Sequence, residues 1–211
     1  MKTAMVWGAA GGIGRAVTEE FAANGWDVVA LSRHEDLLLN VATHSFHVDL
    51  GDAFSVQRAT QSAAFEVTAI DVWVYAAGDI AASPVEDMSP EVWNRILSAN
   101  LTGAYLAAHY SMPLLASEAH LFFIGAISER LRLPGLSAYS AAKAGIEALA
   151  ETLRKEQRKR RVTVVRPAAV DTPLWDKVPL RMPKGAPPPS KVAARIIAAY
   201  EEGHSGQLDL A

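Results

Sequence analysis

The chain has 211 residues, half of them hydrophobic, and a formal net charge of −3. That is enough apolar content for one domain with a sizeable core, and too little positive charge for a molecule built as a whole to bind polyanions. There is no cysteine, which excludes disulfides, thiolate metal sites and a cysteine nucleophile, and fits a reducing compartment.

The opening stretch, "MKTAMVWGAAGGIG", carries one lysine and then a short apolar run broken by glycines. A secretory signal needs a longer unbroken run, and nothing in the chain approaches the roughly 20 apolar residues of a membrane span. The expectation is a soluble, cytoplasmic protein with no membrane partner. Residues 3–7 read as a strand and 12–24 as a helix. Further strands are expected at 27–32, 45–49, 71–77, 120–126 and 161–167. Several are nearly continuous apolar runs, as befits parallel strands buried on both faces. Helices are expected at 52–64, 89–115, 137–159 and 190–202, and the final "GQLDLA" reads as a last strand. This alternation predicts an α/β fold: a Rossmann-type, doubly wound parallel sheet flanked by helices on both faces, in a single domain spanning residues 1–211. The stretch "PLRMPKGAPPPS" (179–190) has four prolines after Arg181. They forbid a regular helix or central strand, so residues near 174–190 are expected to be a loop over a substrate.

Residues 7–16, "WGAAGGIGRA", join the first strand to the first helix. Gly8, Gly12 and Gly14, with Ile13 between the last two, fall at G-x-x-x-G-x-G spacing. Such glycines permit a tight turn, close approach of backbone to a pyrophosphate, and close packing of helix on strand. The free N–H groups of the helix start would face the phosphates. The second strand ends in Ser32, where an acid would hold a ribose 2′-hydroxyl, and Arg33 follows it. An arginine there suits a 2′-phosphate, so NADP is favoured over NAD.

In chain order the sequence then shows "YAAG" (75–78), Asn100 in "SANLTGAY", Tyr139 and Lys143 spaced as Y-x-x-x-K, and "RPAAVDTP" (166–173). With the glycine turn, this ordered set resembles the short-chain dehydrogenase/reductase family over almost the whole chain. The resemblance implies that Tyr139 is the general acid/base and that Lys143 holds the nicotinamide ribose. It implies that Asn100 supports a water-linked proton relay and that Asp49 contacts the adenine. It further implies that Ala76, Ala77 and Gly78 border the cofactor, and that Pro167, Val170 and Thr172 contact the nicotinamide and its carboxamide. The implied activity is hydride transfer between NADP and a small carbonyl or alcohol substrate. The implied assembly is a homodimer or homotetramer formed through the helices at 89–115 and 137–159.

The chemistry is coherent in its own terms. A free tyrosine has a pKa of about 10, too high to exchange protons readily at neutral pH. A lysine one helical turn away, with the positive nicotinamide ring, is expected to lower it. Three departures stand out. Trp7 replaces a threonine of the family pattern. Tyr75 and Ala76 replace its asparagines, which is expected to weaken a structural hydrogen bond. Ala126 stands where the serine that hydrogen-bonds the substrate carbonyl should be, with Ser128 two residues later as the candidate donor. That departure motivates the alternative of a catalytically weak or inactive dinucleotide-binding sensor or partner protein. Elsewhere, the basic run "RKEQRKRR" (154–161) reads as a solvated helix end rather than a nucleic-acid contact. His44 and His47, three apart in a strand, point to opposite faces and predict no metal site. Trp175 is a candidate for the substrate pocket.

Overall fold

Strand β1, Thr3–Trp7, is buried along its whole length. It pairs in parallel with β2 (Asp27–Ser32) on one side and β4 (Ile70–Tyr75) on the other. In the computed structural model, which describes residues 1–210 with the side chain of Ser128 excepted, the sheet has seven strands. The others are β3 (His44–His47), β5 (Leu115–Ile124), β6 (Arg161–Pro167) and β7 (Gly206–Leu210). All pairings are parallel and the order is β3-β2-β1-β4-β5-β6-β7. Winding reverses between β1 and β4, and a doubly wound sheet opens a crevice at that point, at the carboxyl ends of its strands.

Alternate residues of each strand feed two cores. On one face Met5, Trp7, Val29, Leu31, Trp73 and Tyr75 pack beneath α2 (Ala53–Glu66), α4 (Gly103–Ser111) and α5 (Ser137–Glu156). On the other, Ala4, Val6, Val28, Ala30, Val72 and Val74 pack beneath α1 (Gly12–Ala23) and α6 (Pro189–Glu201). Large side chains thus fill one face of these three strands and small ones the other.

Helix starts follow from local chemistry. Asp52 accepts hydrogen bonds from the N–H groups of Phe54 and Ser55 at the head of α2, as a good N-cap does. Ser89 caps α3 (Pro90–Leu97), with Pro90 in the first turn where its missing N–H costs nothing. The helix expected over 89–115 is broken. A π-turn at Ser98–Thr102 separates α3 from α4, and Pro113 lies in the single turn (Met112–Leu114) that ends the run before β5 begins. A π-turn adds a residue and leaves main-chain groups out of the i to i−4 ladder. The Tyr75 hydroxyl donates to Ala99 O at 2.8 Å across this turn. The tyrosine that departs from the family pattern thus ties β4 to the helix kink. No helix links β2 to β3; a single turn at Glu35–Leu38 suffices. The final strand matches expectation through Leu210, and Ala211 lies outside the described residues.

The basic run divides by role. Arg154 pairs with Glu151 on the helix surface, whereas Arg160 donates to Leu115 O at 2.8 Å and Ala116 O at 3.0 Å. It thereby pins the irregular start of β5, where the register with β4 shifts. Among the described residues, no helix is long and apolar enough to cross a membrane.

Candidate active site

A cavity of about 1060 Å³ occupies the crevice at the strand ends. The β1–α1 turn forms its floor. Gly8 has φ +78°, and a Cβ there would sit 2.5 Å from Ala77 Cα, so this turn and the turn after β4 close only with glycine. Gly12 and Ile13 line the cavity at the start of α1, where the first N–H groups of a helix have no intrahelical partner. Gly14 does not line it. It is buried, and a Cβ there would collide with Gly8 O, so its role is close packing rather than phosphate contact.

Of the other residues singled out in the sequence, Ser32, Arg33 and Asp49 line one end of the cavity. Ala76, Ala77 and Gly78 line its middle, and Pro167, Val170, Thr172, Tyr139 and Lys143 also border it. Ser32 is largely buried, and its hydroxyl accepts from His34 N at 3.1 Å, while Arg33 is exposed. Asn100 is fully buried in the π-turn and is not among the lining residues. Its amide donates to Asp79 O at 2.6 Å and to Ile96 O at 2.9 Å, and its Oδ1 has no partner. Asn100 thus fastens the segment after β4 to the helix kink.

Tyr139 and Lys143 lie one turn apart on α5, and the lysine Nζ is 5.6 Å from the tyrosine ring centroid. Lys143 donates to Ile124 O, at the end of β5, at 2.8 Å. Burial pushes the Tyr139 phenol up to about 12. Burial also lowers Lys143 to about 8, against the opposing pull of Glu147. In the chain alone the phenol thus stands above its ordinary value because burial disfavours the phenolate; the lowering expected from the sequence drew on the positive nicotinamide ring as well as Lys143.

Ala126 lines the cavity and is buried, so the position of the missing serine carries no donor. The side chain of Ser128, the expected stand-in, lies outside the described residues. Trp175 borders the cavity and donates from its indole to Val170 O at 2.9 Å.

The sequence reading missed three charged residues. Asp79, directly after the glycine of "YAAG", is buried in the cavity wall. Its carboxylate takes a salt bridge from Arg95 of α3 on one oxygen and from Lys177 on the other, the latter at 2.6 Å. Lys177 belongs to the single turn Pro173–Lys177 that follows Thr172. The signal was present: an acid beside a cofactor turn and a lysine in the substrate segment. Their pairing across 98 residues was not.

This chain belongs to the short chain dehydrogenase family, whose model matches residues 2–182. It is therefore an oxidoreductase of a family that uses a nicotinamide cofactor. The 3β-hydroxysteroid dehydrogenase 1 of Eggerthella lenta is 29% identical over 188 residues, covering 82% of this chain and 72% of that one. An uncharacterized oxidoreductase of Schizosaccharomyces pombe is 30% identical over 181 residues, covering 83% and 70%. The alcohol dehydrogenase of the archaeon Thermococcus sibiricus, solved with 5-hydroxy-NADP, superimposes with a TM-score of 0.88 at 23% identity, covering 100% of this chain and 96% of that one.

Proposed function

We propose that the protein is an NADP-dependent reductase of a small carbonyl compound, with Tyr139 as the acid. The observation that carries this reading is the convergence of Tyr139, Lys143, the glycine turn and Arg33 on one cavity. The lining suits a dinucleotide phosphate: an arginine at the end of β2, open N–H groups at the start of α1 and a lysine at the reacting end. The volume is at the upper end of the few hundred to about 1,000 Å³ typical of small-molecule sites.

NADPH, which the glycine turn, Arg33 and Lys143 would hold, would supply a hydride with its electron pair to the carbonyl carbon when bound. Tyr139 holds its proton at neutral pH and gives it to the carbonyl oxygen as the alcohol forms. Lys143 stabilises the phenolate left behind. The buried Asn100 keeps the helix kink and the segment after β4 together. The residues after Thr172, near 174–190, act as the substrate loop of a single-domain enzyme, with Leu174, Val178 and Leu180 packed toward Tyr139 in one apolar cluster. An apolar substrate body is the fit for such walls. Arg33 favours NADP over NAD.

A second reading, a dinucleotide-binding sensor, is favoured by Ala126 alone. Incubating the purified protein with NADPH and a broad carbonyl panel separates the two. Oxidation of NADPH with any carbonyl compound supports the reductase. Tight NADPH binding with no oxidation supports the sensor.

A further inference from the structure

Resting on the reading that this cavity reduces a carbonyl group, we propose that Lys177 supplies the hydrogen bond to the substrate's carbonyl oxygen that Ala126 cannot. Asp79 is its anchor. That carboxylate is 6% exposed and is bridged by Arg95 on one oxygen and by Lys177 Nζ, at 2.6 Å, on the other. The pair therefore fixes the end of a long flexible side chain at a defined point inside the cavity wall.

The chain on either side of Asp79 runs past the proton-transfer groups. Asp79 follows Gly78, where a Cβ would lie 4.0 Å from Lys143 Nζ and 2.9 Å from Asn100 Oδ1. It precedes Ile80, which packs in the same apolar cluster as Tyr139. Val178, next to Lys177, packs against that cluster too. Each member of the ion pair thus has a chain neighbour in the apolar cluster that holds Tyr139. Asp79, Lys177, Ala126 and Tyr139 line one continuous cavity.

The donor arithmetic permits the role. An ammonium has three N–H groups and no acceptor. One is engaged by Asp79, and the other two are free for an oxygen in the cavity. The Lys177 side chain is about half exposed, so it is not sealed into the wall. A charged donor aimed at an oxygen that becomes an alkoxide stabilises the transition state more than the ground state. Lys177 loses no proton in the step; the new O–H bond forms with the proton of Tyr139.

The test uses NADPH with benzaldehyde, cyclohexanone and ethyl acetoacetate as probe carbonyls, and follows NADPH affinity separately by fluorescence titration. Lys177→Met should lower kcat roughly 10²–10³-fold, the usual loss for one such donor, with NADPH affinity unchanged. Adding Ala126→Ser to Lys177→Met should restore at least about tenfold of that loss, since a hydroxyl at 126 replaces the donor. A lysine that merely held its loop in place would not be rescued by that hydroxyl. Unchanged kcat in Lys177→Met, or a loss that Ala126→Ser leaves untouched, overturns the proposal. So does a comparable loss in Ser128→Ala with Lys177→Met unaffected, which assigns the donor to Ser128. A parent protein that binds NADPH and reduces none of the probes overturns the proposal together with the reductase reading on these substrates.

Discussion

Tyr139 and Lys143 are moved by burial in opposite senses, the phenol up to about 12 and the ammonium down to about 8. Across neutral pH the phenol therefore keeps a proton to give, and Lys143 keeps the charge that would stabilise the phenolate in the proposed mechanism. As pH rises past about 8 the lysine loses that charge first. The rate of carbonyl reduction should thus be level through neutral pH and fall above about 8; a kcat/KM profile that rises there contradicts the assignment. Tyr139→Phe keeps the ring and removes the proton, so turnover should vanish while NADPH titrates as for the parent. In the proposed reading Arg33 carries the preference for NADPH. A hydrogen bond to a charged group contributes about 1.5–3 kcal/mol, so Arg33→Ala should weaken NADPH roughly 10–100-fold and leave NADH unchanged. Equal losses for the two cofactors would move the 2′-phosphate contact elsewhere.

At the scale of elements, the join between α3 and α4 depends on one side chain of β4. Tyr75→Phe removes the donor to Ala99 O in a partly buried turn, and losing one such hydrogen bond typically costs about 0.5–1.5 kcal/mol. Urea unfolding should show a lower midpoint with an unchanged slope; no shift would mean that water or a main-chain donor replaces the hydroxyl. The strands were legible because buried parallel strands write themselves as apolar runs, and β1, β2 and β6 occupy the expected residues. The run 89–115 was not legible as two helices, since residues 98–102, "SANLT", carry no breaker; the π-turn is tied from outside by Tyr75 and from within by the Asn100 amide, which reaches Asp79 O. Pro113, by contrast, was a visible stop. The glycine turn, Tyr139 and Lys143 were legible because spacing along one turn or one helix fixes their relation. The Asp79–Lys177 pair joins two irregular segments, and no periodicity relates residues so placed.

At the scale of the whole molecule, His120 ties acid stability to the sheet. It is fully buried in β5, and burial, then Arg161 and His204, lower it to about 3. Thr163 Oγ1 donates to His204 O, so it accepts from His120 Nε2 at 2.8 Å, which leaves Nδ1 buried without a partner. The unfolded chain takes up a proton near the ordinary histidine value of about 6.5 while the native one resists. Stability from this residue is therefore present above about 6.5 and lost as pH falls toward about 3. His120→Asn should flatten that part of the stability curve, measured by urea midpoints; an unaltered slope would remove His120 as its cause. Assembly is open to a direct measurement. Tyr105 on α4 is half exposed, and we expect α4 and α5 to meet their mates in a dimer or a pair of dimers. A sedimenting species of 22.6 kDa alone at micromolar concentration would exclude this. The unequal filling of the two cores has a consequence of a different kind. In a sheet greasy on both sides, hydrophobicity cannot tell correct strand alignment from a slip by one residue, because either alignment buries apolar groups. Here a slip in β1 would push Trp7 and Met5 into the layer shaped for Ala4 and Val6, and leave voids behind them. Misalignment is rejected by volume rather than by polarity, so the fidelity of folding rests on side-chain size.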